Sequence, residues 1–259
     1  MEIKDAENKI LINGLEINYT DLGEGDPIII LPGWGMSSFY WFSISQKLAK
    51  TGFRVIVLDL PGFGKSSTPA EVWGNNEYVD FVMAFLKKKN IERFNLIGHS
   101  FGGSLAIKIG ACYKEKIMKI VFCDAAFVRR QRLNFRQKTS KLLAGLVPQS
   151  LKKLPGLQFF EKIVYKIAGV SDYYRASPML REIFKKVVSE DTSYLAPKIS
   201  APCLIVWGEK DLATPLEDGI LLNSLVSNSY MKIIPEVGHN PYRKKENEFF
   251  EAVEKFLKN

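Results

Sequence analysis

Ser100 stands in a stretch whose residue types could carry out nucleophilic chemistry. An apolar run at 94–97 leads into Gly98-x-Ser100-x-Gly102, and a second apolar run follows at 105–109. The first run is typical of a buried strand and the second of a helix, so we expect Ser100 at the corner between them. A corner that tight strains the serine backbone and crowds its neighbours, which explains glycine at positions 98 and 102. The corner would hold the hydroxyl away from the sheet.

A serine hydroxyl is a poor nucleophile at neutral pH, so it needs a base that takes its proton and a third group that orients the base. The chain contains two histidines, His99 and His239. His239 follows the last predicted strand, on a loop with a glycine and a proline, near the sheet edge where we expect Ser100. His99 points the wrong way, because adjacent residues of a strand face opposite sides. We therefore assign the base to His239 and expect His99 to pack beside the corner, near the substrate.

Several carboxylates follow predicted strands and could orient the base. Asp211 and Glu209 come directly after the apolar run at 202–208, and Asp124 ends the apolar run at 117–124. A charged residue of this kind can also be a solvated surface group. The residues alone do not decide which of these three carboxylates orients the base.

Composition limits the class of protein. The 259 residues are 46% hydrophobic and 25% charged, which is typical of a soluble globular protein. No apolar run approaches the roughly 20 residues of a membrane helix, and the acidic residues near the start differ from a secretory signal. We therefore expect a cytoplasmic protein without a transmembrane segment. Cys112, Cys123 and Cys203 lack metal-ligand spacing and are predicted to be buried free thiols.

Strand and helix patterns alternate along most of the chain, which predicts an α/β fold with a mostly parallel sheet and helices on both faces. Asn13-Gly14 between two short strand patterns predicts a hairpin at the edge. Further strands are predicted at 27–31, 53–59, 94–97, 117–124, 202–208 and 230–234. Helices are predicted at 37–50, 75–90, after Ser100, at 216–226 and at 244–257.

The pattern changes between 128 and 197. Helical pieces alternate there with proline and glycine, and no strand is predicted. Counted from Val128 to Lys198, this part of the chain has 15 lysines and arginines against five acidic residues, a net charge of +10, while the rest of the chain has −2. We predict a core domain formed by 1–127 and 198–259, with 128–197 as an insertion.

The corner at Ser100, with strand before, helix after and a further glycine at 103, resembles the nucleophile elbow of the α/β-hydrolase family. The segment from Gly208 to Asp211 is similar to the family's Gly-x-x-Asp loop, and the order Ser100, Asp211, His239 is the family order. The resemblance implies the α/β-hydrolase fold, with Asp211 as the acid and 128–197 as a helical cap. Some family members carry the acid after the strand that here ends at Asp124.

The loop after the strand at 27–31 supplies the second part of the machinery that the resemblance implies. Family members usually have His-Gly there, and the next residue donates its main-chain N–H to an oxyanion. This chain has Pro32-Gly33, so Trp34 is the expected donor, together with Phe101 after the nucleophile. Pro32 does not remove the function, because the donor is a main-chain group.

The implied reaction is hydrolysis of a carboxylic ester through an acyl-enzyme, with no metal and no organic cofactor. Carbon–carbon bond or lactone hydrolysis by the same residues, and a ligand-binding receptor that retains the fold, remain alternatives. The apolar side chains of the cap could line an acyl pocket, and we name Phe127, Phe135 and His99 as pocket candidates.

The basic residues of the insertion raise the question of a partner. An acidic carrier protein that delivers an acyl ester, or an anionic membrane surface, would be attracted by this charge. A solvated basic surface is the simpler interpretation. Nucleic acid is not expected, because no recognition motif accompanies the charge. Nucleotide binding at 62–66 is rejected, because the P-loop spacing is absent.

Overall fold

An eight-stranded sheet forms the centre of the protein in the computed structural model, which describes residues 2–129 and 177–259. The strands are β1 (Glu7–Ile12), β2 (Leu15–Leu22), β3 (Asp26–Leu31), β4 (Phe53–Leu58), β5 (Phe94–His99), β6 (Ile117–Cys123), β7 (Cys203–Gly208) and β8 (Ser229–Ile234). Their order across the sheet is β1-β2-β4-β3-β5-β6-β7-β8. β2 runs antiparallel to β1 and β4, whereas β3 to β8 run parallel to one another.

Helices connect these strands. They are α1 (Ile3–Ala6), α2 (Phe42–Ala49), α3 (Asn75–Lys88), α4 (Phe101–Cys112), α5 (Pro178–Ser189), α6 (Leu216–Leu225), α7 (Pro241–Lys244) and α8 (Glu246–Lys258). Short 3-10 segments occupy Ser38–Trp41, Lys114–Lys116 and Ser193–Lys198. None of the helices in the described ranges has the length and apolar composition that crossing a membrane requires.

The predicted edge hairpin and the mostly parallel sheet are confirmed. Asn13 and Gly14 join β1 to β2 with φ angles of 49° and 81°. Two consecutive positive φ angles are what a two-residue type I′ turn needs. The central strand β3 is apolar from Ile28 to Leu31, as expected of a parallel strand covered by helices on both faces, and none of these four residues has solvent exposure.

Two hydrophobic clusters fill the two faces of the sheet. One cluster joins the sheet to α3, α4, α5 and α6, and it includes Tyr78, Phe81, Val82, Phe85, Leu105, Ile183 and Leu222. The other joins the opposite face to the chain before and within α2 and to α8, and it includes Trp41, Ile44, Leu48, Phe249 and Val253. Each of these helices therefore turns an apolar face to the core.

The corner between β5 and α4 depends on close approaches that only glycine permits. A Cβ atom on Gly102 would lie 1.9 Å from the carbonyl oxygen of Leu31, at the end of β3. A Cβ atom on Gly103 would lie 2.4 Å from Cβ of Ala125. Helix α4 can therefore begin directly against the ends of β3 and β6.

Some expectations need correction or lie outside the described residues. Cys112 is exposed, because it ends α4, whereas Cys123 and Cys203 are buried as predicted. The four-residue helix α1 was not predicted, because so short a segment carries no periodicity. Residues 130–176, which make up most of the predicted cap, lie outside the described residues, so the boundaries 128–197 stay a prediction.

Replacement of Gly102 by alanine tests the close approach of α4 to β3. We expect Gly102→Ala to lower the free energy of unfolding by more than about 3 kcal/mol, or to prevent folding, because the new Cβ meets backbone. Gly14→Ala is the control: Gly14 has a φ of 81° but no atom within 4 Å of a new Cβ. Its cost should be backbone strain alone, about 1–2 kcal/mol. Equal losses in urea unfolding would contradict the packing described for the corner.

Candidate active site

Ser100 occupies the corner between β5 and α4 with a backbone conformation that is unusual for a non-glycine residue. Its φ and ψ are 51° and −115°. Hydrogen bonds on both sides hold this conformation: the N–H of Ser100 donates to the carbonyl of Cys123 at 3.1 Å, and its carbonyl accepts from Ala126 N–H at 2.9 Å. The strain is thus held by the chain that follows β6.

His239 lies on the loop between β8 and α7 and contacts Ser100 and Asp211 at the same time. The Ser100 hydroxyl lies 2.9 Å from Nε2 of His239 and is placed to donate to it. The opposite nitrogen, Nδ1, donates to Oδ2 of Asp211 at 2.7 Å. The His239 side chain keeps 26% exposure while that of Asp211 has none, so the reacting end of this chain of hydrogen bonds faces outward.

The Asp211 carboxylate is fixed by the turn that follows β7. Oδ1 accepts from the N–H groups of Ala213 at 2.7 Å and Thr214 at 3.1 Å, and Oδ2 accepts from the Thr214 hydroxyl at 2.7 Å. Burial opposes the charge of this carboxylate, but the hydrogen bonds from His239 and Thr214 outweigh burial and hold the pKa of Asp211 below its usual value. Asp211 is therefore ionised at neutral pH.

The interaction between Asp211 and His239 shifts the pKa of His239 in the opposite direction, upward. Burial alone would lower its pKa, but the hydrogen bond and the negative charge of Asp211 raise the pKa of His239 above its usual value. A more basic imidazole accepts a proton more readily, which suits a general base.

Two main-chain N–H groups belong to segments beside Ser100: Phe101 follows it directly, and Trp34 follows Gly33, where a Cβ atom would lie 3.2 Å from that of Ser100. Phe101 is the first residue of α4, so its N–H has no partner within the helix, and that of Trp34 follows Gly33 on the loop after β3. Among the described residues, neither group donates a hydrogen bond. Both are therefore available to an oxygen atom that gains negative charge.

The Trp34 ring is held from several sides. Its centroid lies 4.7 Å from that of Phe63, 5.7 Å from Phe101 and 5.0 Å from Phe184 of α5, each in an edge-on arrangement. Aromatic contacts of this geometry favour one ring position. The loop that carries the Trp34 N–H is consequently packed against both the core and α5.

His99 packs beside the corner as predicted, but it is too buried to be the pocket residue that we also expected. It is 1% exposed and therefore does not offer a surface to a ligand. Its ring packs edge-on against Trp41 and Tyr242, and its Nε2 donates to the main-chain carbonyl of His239 at 2.9 Å. Burial, together with the nearby His239, lowers the pKa of His99 to about 3, so it is neutral. His99 thus supports the His239 loop from behind, a contact that no sequence pattern indicates.

The remaining candidates from the sequence take no part in the hydrogen bonds that join Ser100, His239 and Asp211. Phe127 is 2% exposed and belongs to the hydrophobic core, which corrects the prediction that it lines a pocket. Phe135 lies outside the described residues. Glu209, the local competitor of Asp211, accepts from the N–H of Glu236 in an exposed contact and does not bond His239. Thr214, which bonds Asp211, was missed, because a threonine three residues after an aspartate carries no signal.

Asp124, the more distant competitor, is buried beside this site. One of its carboxylate oxygens and one ring nitrogen each of His99 and His239 lie within 4.8 Å of one another. Such a group could in principle ligate a metal ion. However, both ring nitrogens of His239 have hydrogen-bond partners, Ser100 and Asp211, and Nε2 of His99 bonds the His239 carbonyl, so only the buried Nδ1 of His99 has no partner among the described residues. The arrangement is better suited to proton transfer than to holding a cation.

Comparisons with known proteins agree on one family. A model of the alpha/beta hydrolase fold matches residues 26–245. The AB hydrolase superfamily protein YisY of Bacillus subtilis is 27% identical, and the match covers 91% of this chain and 93% of YisY. A 2-hydroxy-6-oxononadienedioate/2-hydroxy-6-oxononatrienedioate hydrolase of Pseudomonas putida is 25% identical, over 87% of this chain and 86% of that protein.

A solved structure gives the same result. The structure of bromoperoxidase from Bacillus anthracis is similar to this chain with a TM-score of 0.76 and 26% identity. The match covers 98% of this chain and all of that chain.

The hydrogen bonds of His239 predict how the reactivity of Ser100 depends on pH. Because the pKa of His239 is raised, we expect the rate of Ser100 modification by a fluorophosphonate to increase with pH through a midpoint above the usual histidine value of about 6.5. Mass spectrometry of the labelled peptide measures the rate, and Ser100→Ala controls for labelling elsewhere. A midpoint below 6.5 would contradict the assignment of His239 as the base, and labelling that persists in Ser100→Ala would contradict the assignment of Ser100 as the nucleophile.

Proposed function

The chain belongs to the alpha/beta hydrolase fold family, and from this membership we propose that it is a serine hydrolase that cleaves carboxylic esters through an acyl-enzyme. One observation carries the proposal. A continuous set of hydrogen bonds runs from the buried Asp211 through His239 to the Ser100 hydroxyl. We assign the oxyanion donors to the N–H groups of Trp34 and Phe101, which have no partner among the described residues. Nucleophile, base, orienting acid and oxyanion donors are then within reach of one carbonyl group.

In the first half of the reaction, Ser100 Oγ forms a bond to the ester carbonyl carbon while its proton passes to Nε2 of His239. The carbonyl oxygen becomes negatively charged and accepts from the N–H groups of Trp34 and Phe101. The intermediate then collapses: the carbon–oxygen bond to the leaving alcohol breaks, and the alcohol oxygen takes the proton from Nε2. An acyl group remains on Ser100.

The second half repeats the same steps with water. Nε2 of His239 accepts a proton from water as the water oxygen bonds the acyl carbon. The bond to Ser100 Oγ then breaks, and Oγ recovers the proton. In both halves His239 is positively charged in the intermediate, and the ionised Asp211 at 2.7 Å stabilises that charge.

Carbon–carbon bond hydrolysis is the second candidate, because the Pseudomonas putida relative is named for a 2-hydroxy-6-oxo dienedioate substrate. The same acyl-enzyme chemistry would apply, but the leaving group is then a carbon atom that must receive a proton. When an ester is cleaved, the leaving atom is an alcohol oxygen, and His239 can protonate it without a further acid. The groups identified around Ser100 are therefore sufficient for an ester, and this supports the ester proposal.

Hydrolysis of p-nitrophenyl acetate, butyrate and octanoate tests the proposal. We expect Ser100→Ala and His239→Ala each to lower kcat by at least about 10⁴-fold, because each removes a member of a unit that acts together. Ser224→Ala is the matched control: Ser224 is exposed on α6, bonds the Leu221 carbonyl, and should leave the rate unchanged.

A dienoate ring-fission product, assayed by loss of its visible absorbance, is the second substrate. Turnover of this compound without ester turnover would move the assignment to carbon–carbon hydrolysis. Ester turnover that survives in Ser100→Ala would contradict both forms of the proposal.

A further inference from the structure

A second carboxyl group, Asp124, lies behind His239 and has no part in the mechanism above. It follows β6 with a φ of 45° and has no solvent exposure. Its Oδ1 accepts from the N–H of Gly208 at 2.9 Å, at the start of the turn that carries Asp211. Its Oδ2 faces the Cys123 thiol at 4.0 Å, the outer limit of a contact to sulfur. One carboxyl oxygen is thus fixed and the other is weakly bonded.

Asp124 and Asp211 approach the same imidazole from two strands. Asp211 reaches Nδ1 of His239 from the turn after β7, and an oxygen of Asp124 lies within 4.8 Å of a ring nitrogen of the same histidine, from the end of β6. The two loops are joined to each other, because the Thr214 hydroxyl lies 3.1 Å from the main-chain carbonyl of Asp124 and 2.7 Å from Oδ2 of Asp211. His239 therefore faces two carboxyl groups on a common framework.

The two carboxyl groups differ in charge. Burial, and then the negative charge of Asp211, raise the pKa of Asp124 to about 8. The titratable groups that face Asp124 come from β5, β6, the loops after β7 and β8, and α7, and they are His99, Cys123, Asp211, His239 and Tyr242. His99 is neutral, and burial raises the pKa of both Cys123 and Tyr242. Asp211 and His239 therefore determine whether Asp124 ionises near neutral pH.

We propose that Asp124 is a second positioning acid for His239: it stays uncharged beside the ionised Asp211, and it takes over the support of His239 when the charge of Asp211 is removed. The proposal extends the proposed function, since it concerns the same base. Its physical basis is that two neighbouring carboxylates repel each other, so one keeps its proton. Without the Asp211 charge, that repulsion is gone, and a protonated His239 favours the Asp124 carboxylate.

The test uses the fact that the chain has only two histidines. In protein labelled with ¹⁵N-histidine, two sets of ring signals are expected, and His99 should not titrate above pH 5 because its pKa is about 3. The signal that titrates near neutral pH then reports His239. The pKa of His239 is measured in this way without a substrate. It therefore tests the role of Asp124 even if the protein does not hydrolyse esters and the proposed function is wrong.

In Asp211→Asn, we expect the pKa of His239 to stay above 6.5, because Asp124 ionises and replaces the lost charge. The proton affinity of His239 should be at least about tenfold lower in Asp211→Asn/Asp124→Asn than in Asp211→Asn. In Asp124→Asn, the amide oxygen of the asparagine can still accept from Gly208 N–H, so the turn after β7 is retained. Asp26→Asn is the control, because Asp26 is exposed at the opposite end of the sheet and should move neither value.

Rates of fluorophosphonate labelling at Ser100 give the second reading. Loss of a triad aspartate that has no substitute costs about 10⁴-fold. We expect Asp211→Asn to cost less than about 100-fold, and Asp124→Asn to cost at least tenfold more in the Asp211→Asn background than in the wild type. A pKa of His239 below 6.5 in Asp211→Asn would overturn the proposal, and this single variant decides it even if the double variant does not fold. Equal effects of Asp124→Asn in both backgrounds would overturn it as well.

Discussion

The close approach of α4 to the end of β3 is the constraint on which the rest of the site depends. Gly102 lies so near the Leu31 carbonyl that a side chain at this position would need the space of the backbone itself. The approach brings the first N–H of α4 next to the loop that carries Trp34. It also leaves Ser100 at a positive φ, a strained conformation that hydrogen bonds to Cys123 and Ala126 maintain. A looser corner would move Ser100 and α4 away from the loop that carries Trp34.

Environment decides what each ionisable group of the site can do. Asp124 and Asp211 are the same residue type a few ångströms from the same imidazole. Asp211 receives four hydrogen bonds and stays charged, whereas Asp124 receives one strong hydrogen bond and is buried beside that charge. The histidines differ in the same way, because His239 has a carboxylate partner and His99 bonds a main-chain carbonyl in a buried position. Hydrogen bonding and burial thus divide four groups into distinct roles.

The parts of this arrangement that are local in the chain could be predicted from the sequence. The glycines around Ser100, the Asn13-Gly14 turn and the apolar runs of the central strands each carry their signal within about ten residues. The structure brings Ser100 and His239 together as expected, and His239 bonds Asp211, the acid that the family resemblance implied and the residues alone left open. Contacts between loops carry no such signal: the bond from Thr214 to Asp211, the nearness of Asp124 to His239 and the burial of His99 depend on how loops from different strands meet. Phe127 was misplaced for the same reason, since an aromatic residue reads alike in a core and in a pocket.

Direct observation of the covalent intermediate tests the central claim, that Ser100 is the nucleophile of an ester hydrolase. The experiment mixes the protein with excess p-nitrophenyl butyrate, follows p-nitrophenol release in the first turnover, and maps the acyl group by mass spectrometry after an acid quench. We predict one butyryl group per chain, on Ser100, with p-nitrophenol released by its formation. Turnover without any acyl adduct, or an adduct on another residue, would contradict it.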